Sequence, residues 1–175
     1  MINQNFDRNY DFPLIGVDEV GRGSWAGPVM AGAALIDFGR PLHKMLNDSK
    51  KLSIEMRNEI FDSLTKTTLF GIGKASNLEV DQNGILKATF SAMERAIANL
   101  TKNICKKKIA TILIDGTHMP HFHKTIGAEI KLIKGGDGKS PSIAAASIYA
   151  KVTRDKFMEE IDKTYPGYGF SKNMG

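Results

Sequence analysis

The stretch that decides the fold is Leu14-Ile15-Gly16-Val17-Asp18-Glu19-Val20-Gly21-Arg22-Gly23. Four apolar or small residues run straight into two acids, and two glycines around an arginine force a turn. The spacing predicts a buried strand over 14–17 that ends at Asp18 and Glu19. Carboxylates beside a core are costly unless they are paired or bind a cation, so their position at a strand end marks a candidate site.

Working outward, Val29 to Ile36 is a second apolar strand rich in small residues. Asp48-Ser49-Lys50-Lys51 is a polar loop, and Ser53 is placed to cap a helix reaching about Leu64, with Met56, Ile60, Phe61 and Leu64 on one face. Residues 67–75 read as a third strand, weakened by Gly71 and Gly73. Asn77 is placed to cap a short turn. Leu86, Phe90, Met93, Ile97 and Leu100 recur at steps of three or four, which predicts a helix over 84–102. Residues 109–114 form a strongly apolar strand ending at Asp115, and residues 128–133 form a fifth ending near Lys134. Pro141 follows a Ser140 cap and opens a last helix to about Thr164, small and apolar in its first half. The expectation is an α/β single domain, a mixed β-sheet flanked by helices.

In such sheets, sites gather at the carboxyl ends of strands. Asp18, Glu19 and Asp115 each follow an apolar strand, and Asp137 follows a weaker one. Taken singly, each acid could cap a turn or pair with a nearby lysine. The repeated placement favours one shared site, and carboxylates with water are the ligands that Mg²⁺ and Mn²⁺ prefer. Bases lie near the acids: Lys50 and Lys51 on a loop, Lys134 and Lys139 around Asp137, and Lys151 and Arg154 three apart on the last helix. That mixture suits a nuclease, with acids for the cation and bases for the phosphates.

Other chemistries find less support. His118, His121 and His123 could hold a transition metal, but an exposed loop explains them better. Gly136-Asp137-Gly138-Lys139-Ser140 ends like a P-loop, yet Ile133 stands where that motif needs glycine. Lys106-Lys107-Lys108 reads as a solvated turn. The single Cys105 cannot form an internal disulfide, which favours a reducing compartment. The N-terminus lacks a basic segment followed by an apolar run, and 29–36 is too short to span a bilayer, so the default is a cytoplasmic protein without a membrane segment. The net charge of +5, from 24 Lys and Arg against 19 Asp and Glu, is compatible with a polyanionic partner.

Gly16-Val17-Asp18-Glu19-Val20-Gly21-Arg22-Gly23 with Ala26-Gly27-Pro28-Val29 resembles the N-terminal signature of ribonuclease HII. Asp48-Ser49-Lys50-Lys51-Leu52-Ser53 resembles its second block and Ile114-Asp115-Gly116 its third. Gly136-Asp137 with Ser142-Ile143-Ala144-Ala145-Ala146-Ser147-Ile148 and Ala150-Lys151-Val152-Thr153-Arg154-Asp155 resembles its fourth. The resemblance implies an RNase H-like fold over residues 1–175 and a four-carboxylate site of Asp18, Glu19, Asp115 and Asp137. It implies two Mg²⁺ or Mn²⁺ ions and cleavage of the RNA strand of RNA–DNA hybrids. It further implies cutting 5′ of a ribonucleotide in duplex DNA, leaving a 5′-phosphate and a 3′-hydroxyl.

By the same resemblance, Gly21, Arg22 and Gly23 contact the ribose 2′-hydroxyl. Lys50, Lys51, Lys139, Ser142, Lys151 and Arg154 are the further expected substrate contacts, and the expected state is a monomer. Two departures from the family pattern stand out. Lys134-Gly135-Gly136-Asp137 carries one glycine more than the family's Lys-x-Asp. The sequence also stops at Lys172-Asn173-Met174-Gly175, where the family continues into a tyrosine and a C-terminal segment. The expectation is therefore metal binding with weaker, less selective cleavage, and the alternative is a truncated hybrid-binding domain with little activity.

Overall fold

A computed structural model describes residues 2–102, 104, 108–173 and 175; Cys105, Lys106 and Lys107 lie outside the described residues. The strands are β1 (Leu14–Val20), β2 (Val29–Ile36), β3 (Thr68–Ala75), β4 (Thr111–Asp115) and β5 (Glu129–Ile133). The helices are α1 (Ile54–Leu64), α2 (Asn77–Asn83), α3 (Ile85–Thr101), α4 (Pro141–Thr164) and α5 (Phe170–Asn173). The strands form one sheet in the order β3-β2-β1-β4-β5. β1, β2 and β3 are antiparallel neighbours, whereas β4 pairs parallel with both β1 and β5. The mixed sheet expected from the sequence is present. No described helix is long and apolar enough to cross a membrane.

β1 is central, with β2 on one side and β4 on the other, and helices cover both faces. On one face α3 supplies Ala92, Met93, Ala96, Ile97 and Leu100 against Ile15, Val17, Ala31 and Ile112. On the other, the Ala144–Ala146 segment of α4 packs with Ala34 and Ile36 of the sheet and with Ile60 and Leu64 of α1. Buried on both faces, β1 reads as a continuous apolar run rather than an alternating one.

Both helices lie unusually close to the sheet, and glycine makes the room. A Cβ on Gly16 would strike the Ser142 carbonyl group of α4, and one on Gly71 would strike the Ala96 carbonyl oxygen of α3. Gly71 and Gly73 weaken β3 by propensity but sit where α3 crosses it, so packing overrides propensity.

Several local expectations change. β1 does not end at the acids but runs through them to Val20. Asn77 does not cap α2: the cap is Ser76, whose Oγ accepts from Glu79 N at 3.2 Å while the Glu79 carboxylate accepts from Ser76 N at 2.9 Å. This reciprocal arrangement satisfies two otherwise orphaned backbone donors. α5 was not foreseen, because four residues carry no periodic signal. Ser53 caps α1 and Ser140 caps α4, as expected.

Candidate active site

Because β1 continues through Asp18-Glu19, its two acids point to opposite faces of the sheet. Asp18 pairs across the sheet with Gly32 and lies on the α4 side. There it is only 5% exposed. Its Oδ1 accepts from Glu19 N at 2.8 Å, and the hydroxyl of Ser147 on α4 lies close enough to favour its ionised form. Ser147 in turn shares a 2.9 Å hydroxyl contact with Ser49 from the loop before α1. Asp115 ends β4, the parallel neighbour of β1, and its Oδ1 accepts from Gly136 N at 2.8 Å. That bond ties the β4 end to the one-turn 3₁₀ helix Gly136–Gly138, which carries Asp137.

Asp18, Asp115 and Asp137 each offer a carboxylate oxygen, and all of these oxygens lie within 4.8 Å of one another. The burial of Asp18 pushes its carboxyl well above the usual carboxylate range, and the charges of Glu19 and Asp115 add to the effect. Asp137 is also raised, by burial first and then by Asp48 and Asp115. Among the described residues none of the three carboxylates joins an ion pair. Three clustered carboxylates that repel one another, with no described ion pair to neutralise them, are the donor set a hard divalent ion fits.

Glu19 is not in this trio. Its carboxylate faces Arg22, with Nη1 of Arg22 donating to Oε1 at 3.3 Å, yet burial raises its carboxyl and the charge of Asp115 adds to the effect. Glu19, Gly21, Arg22, Gly23, Lys50 and Lys151 line a cavity of about 280 Å³. A second hollow of about 170 Å³ is also lined by Glu19 and Arg22 and reaches Asp115. The structure therefore brings the Gly-Arg-Gly turn, two lysines and the acids to one end of the sheet.

Not every expected residue belongs there. Ser142 is fully buried, and its backbone N donates to Asp7 Oδ2 at 2.9 Å, so it secures the start of α4 and does not face a substrate. Arg154 is 1% exposed. Its Nε donates to Pro28 O at 3.1 Å and its Nη2 to Ala26 O at 2.9 Å. A guanidinium buried against main-chain carbonyls braces the loop after the Gly-Arg-Gly turn and is out of reach of a phosphate. Lys51 and Lys139 are exposed beside Asp137: Lys51 pairs with Asp48 at 3.5 Å, and Lys139 Nζ donates to Lys134 O at 2.7 Å. Lys151 is held by Asp155 at 2.6 Å.

Sequence reading missed Asp48, which is close enough to Asp137 to raise it by charge and by hydrogen bonding. It sits in the quoted Asp-Ser-Lys-Lys block, but it follows no strand, so the signal that marked the other acids is absent. Asp7, far away in sequence, was missed for the same reason. The three histidines do not converge: His121 approaches Glu94 at 3.5 Å, His123 Nδ1 contacts Pro120 O, and His118 Nδ1 contacts Thr117 Oγ1.

Sheet order, helix placement and an acidic cluster toward the carboxyl ends of two adjacent parallel strands give the chain the architecture of the RNase H-like nucleases. Comparison with known proteins narrows the class. The family model for ribonuclease HII matches residues 15–175. Ribonuclease HII of Shewanella sp. (strain ANA-3) is 45% identical over 164 residues, covering 93% of this chain and 76% of the relative. That of Magnetococcus marinus is 44% identical over 162 residues, covering 93% and 73%.

Among solved structures, the PCNA:RNase HII complex from Archaeoglobus fulgidus superposes with a TM-score of 0.73 at 25% identity, covering 89% of this chain and 79% of that one. Ribonuclease H2 from Pyrococcus horikoshii OT3 gives 0.69 at 27%, covering 89% and 78%. Bst-RNase HIII in complex with Mn²⁺, at 23% identity and a TM-score of 0.73 over 86% and 54%, shares the fold. This chain belongs to the ribonuclease HII family and is a metal-dependent ribonuclease.

Proposed function

We propose that the chain hydrolyses the RNA strand of RNA–DNA hybrids and cuts 5′ of single ribonucleotides in duplex DNA, using two Mg²⁺ or Mn²⁺ ions. The observation that carries this reading is the convergence of Asp18, Asp115 and Asp137 beside the cavity lined by Gly21, Arg22, Gly23, Lys50 and Lys151. The three carboxylates would hold the cations, with Glu19 completing the acidic wall on the Asp115 side. Bound divalent cations supply activation of a water nucleophile and stabilisation of the leaving oxygen. The Mn²⁺ named for Bst-RNase HIII supports a divalent ion of this kind.

The protein's own groups orient the substrate. Glycines at Gly21 and Gly23 let main-chain amides approach a ribose 2′-hydroxyl, the group that separates RNA from DNA. Lys50, Lys51, Lys139 and Lys151 neutralise phosphates to either side of the cut. The test is a DNA duplex bearing one ribonucleotide, incubated with Mn²⁺, with Mg²⁺ or with EDTA. One metal-dependent cut 5′ of the ribonucleotide is expected. Tight binding without cleavage in either metal would replace this reading with that of a hybrid-binding domain.

A further inference from the structure

Trp25 lies two residues beyond the Gly21-Arg22-Gly23 turn, and its side chain is 101% exposed. An aromatic side chain ordinarily buries roughly 150–250 Å². Among the described residues no other ring packs on this indole. By contrast Tyr168 stacks on Phe170 at 5.3 Å, and Phe12 meets Phe38 edge-on at 5.4 Å.

The exposure is imposed by the backbone. Trp25 N donates to Gly175 O at 3.2 Å, and Ser24 N donates to Gly21 O at 3.3 Å. The next residues are held from behind, Ala26 and Pro28 by the buried guanidinium of Arg154, while a Cβ on Gly27 would strike the Met158 sulfur. The loop is clamped on its inner side and presents its one large apolar group outward. Two residues earlier, the same loop lines the cavity that holds Arg22, Lys50 and Lys151, with Gly23 in its wall. A flat apolar ring beside cations suits a polyanion that also carries apolar faces, which describes a nucleic-acid strand.

We infer that Trp25 is a substrate-contacting residue whose indole packs on the sugar and base edges of the bound duplex next to the recognised ribose. This rests on the function proposed above. Neither the acids nor the lysines require an aromatic at this position, so the inference adds a contact that they do not imply. An A-like minor groove is wide and shallow and exposes sugars and base edges, and an indole standing out from a rigid loop can lie against them.

Trp25 is the single tryptophan of the chain, so its emission reports on this position alone. The experiment titrates the protein in EDTA with a fluorophore-free duplex bearing one ribonucleotide. A labelled copy of the same duplex measures binding in parallel by anisotropy. Emission should be open to acrylamide in the free protein, and duplex should quench it and shield it along the same curve as the anisotropy. In the cleavage assay Trp25→Ala should raise KM about tenfold with kcat within roughly twofold, and Trp25→Phe should recover most of the loss. Unfolding midpoints should match across the three proteins, because Trp25 is fully exposed.

Duplex binding by anisotropy with unchanged emission would overturn the inference and leave the nuclease reading standing. So would a Trp25→Ala enzyme with an ordinary KM, or an indole already shielded from acrylamide in the free protein. A duplex that neither binds nor is cut would overturn both readings.

Discussion

Asp18 is the residue at which stability and the proposed function conflict most directly. Burial and two neighbouring charges raise its carboxyl well above its ordinary value. A carboxyl with a raised folded pKa binds protons more readily in the folded state. Its ionisation therefore costs stability progressively as pH rises from the ordinary value of 3.8 through the raised one, and the cost is complete above it. Asp18→Asn should abolish cleavage yet raise the stability of the metal-free protein at neutral pH by about 0.5–2 kcal/mol. Urea unfolding in EDTA at pH 4 and pH 7 checks this, since the gain should shrink at the lower pH. Near-normal cleavage by the variant at saturating Mg²⁺ would remove Asp18 from the site.

Gly23 offers a cleaner separation of roles. A Cβ there meets nothing within 4 Å. Gly23→Ala should therefore leave the unfolding midpoint within about 0.5 kcal/mol while impairing ribonucleotide cleavage, because only an approaching sugar would feel the methyl group. An unaffected cleavage rate would show that the main chain at Gly23 is not approached. Lys151 tests the electrostatics. If it neutralises one phosphate, Lys151→Ala should lower the slope of log affinity against log salt by about one unit.

At the scale of elements, the active end of the sheet depends on how closely α3 and α4 press on β1–β3. Gly71→Ala would drive a methyl into the α3 main chain at Ala96, which cannot yield as a side-chain tip can. Overpacking of this kind costs typically 1–3 kcal/mol, readable as a lower denaturation midpoint at constant m-value. α4 acts twice, through Ser147 on Asp18 and through Arg154 on the loop beyond the Gly-Arg-Gly turn. Arg154→Ala orphans two carbonyls, those of Ala26 and Pro28, each worth roughly 1–3 kcal/mol if left buried and unsatisfied. The loss should appear in urea unfolding and as a raised KM, with no change in the salt slope. A reduced slope would reinstate Arg154 as a phosphate contact.

Across the whole molecule, a cation bound at the acidic cluster would couple metal to folding. Asp18 and Asp115 come from strands paired in the sheet centre, and Asp137 follows β5, so a cation held by all three bridges segments that are apart in the unfolded chain. Binding to the folded state alone stabilises it by RT ln(1 + [L]/Kd), about 2.7 kcal/mol at a hundredfold excess over Kd. Mn²⁺ should raise the thermal midpoint of the native chain, EDTA should reverse the rise, and Asp18→Asn should show little of either. An equal shift in that variant would place the ion elsewhere.

The five strands, the long helices and three of the acids that cluster at the candidate site were legible in the sequence alone. Apolar runs ending in Asp or Glu are a local pattern, and helix caps such as Ser53 and Ser140 act within a few residues. The Gly-Arg-Gly turn was legible for the same reason. Tertiary structure decided what depends on neighbours from elsewhere in the chain. It carried β1 through Asp18-Glu19, because β2 pairs as far as Val20, and so turned the two acids to opposite faces. It brought in Asp48 from a loop with no strand to announce it. It also buried Ser142 and Arg154, which share a helix with Lys151 and read as equivalent to it in one dimension. Sequence spacing gives the face of a helix, but only the packing of the sheet and loop against that face decides which cation reaches solvent and which becomes a strut.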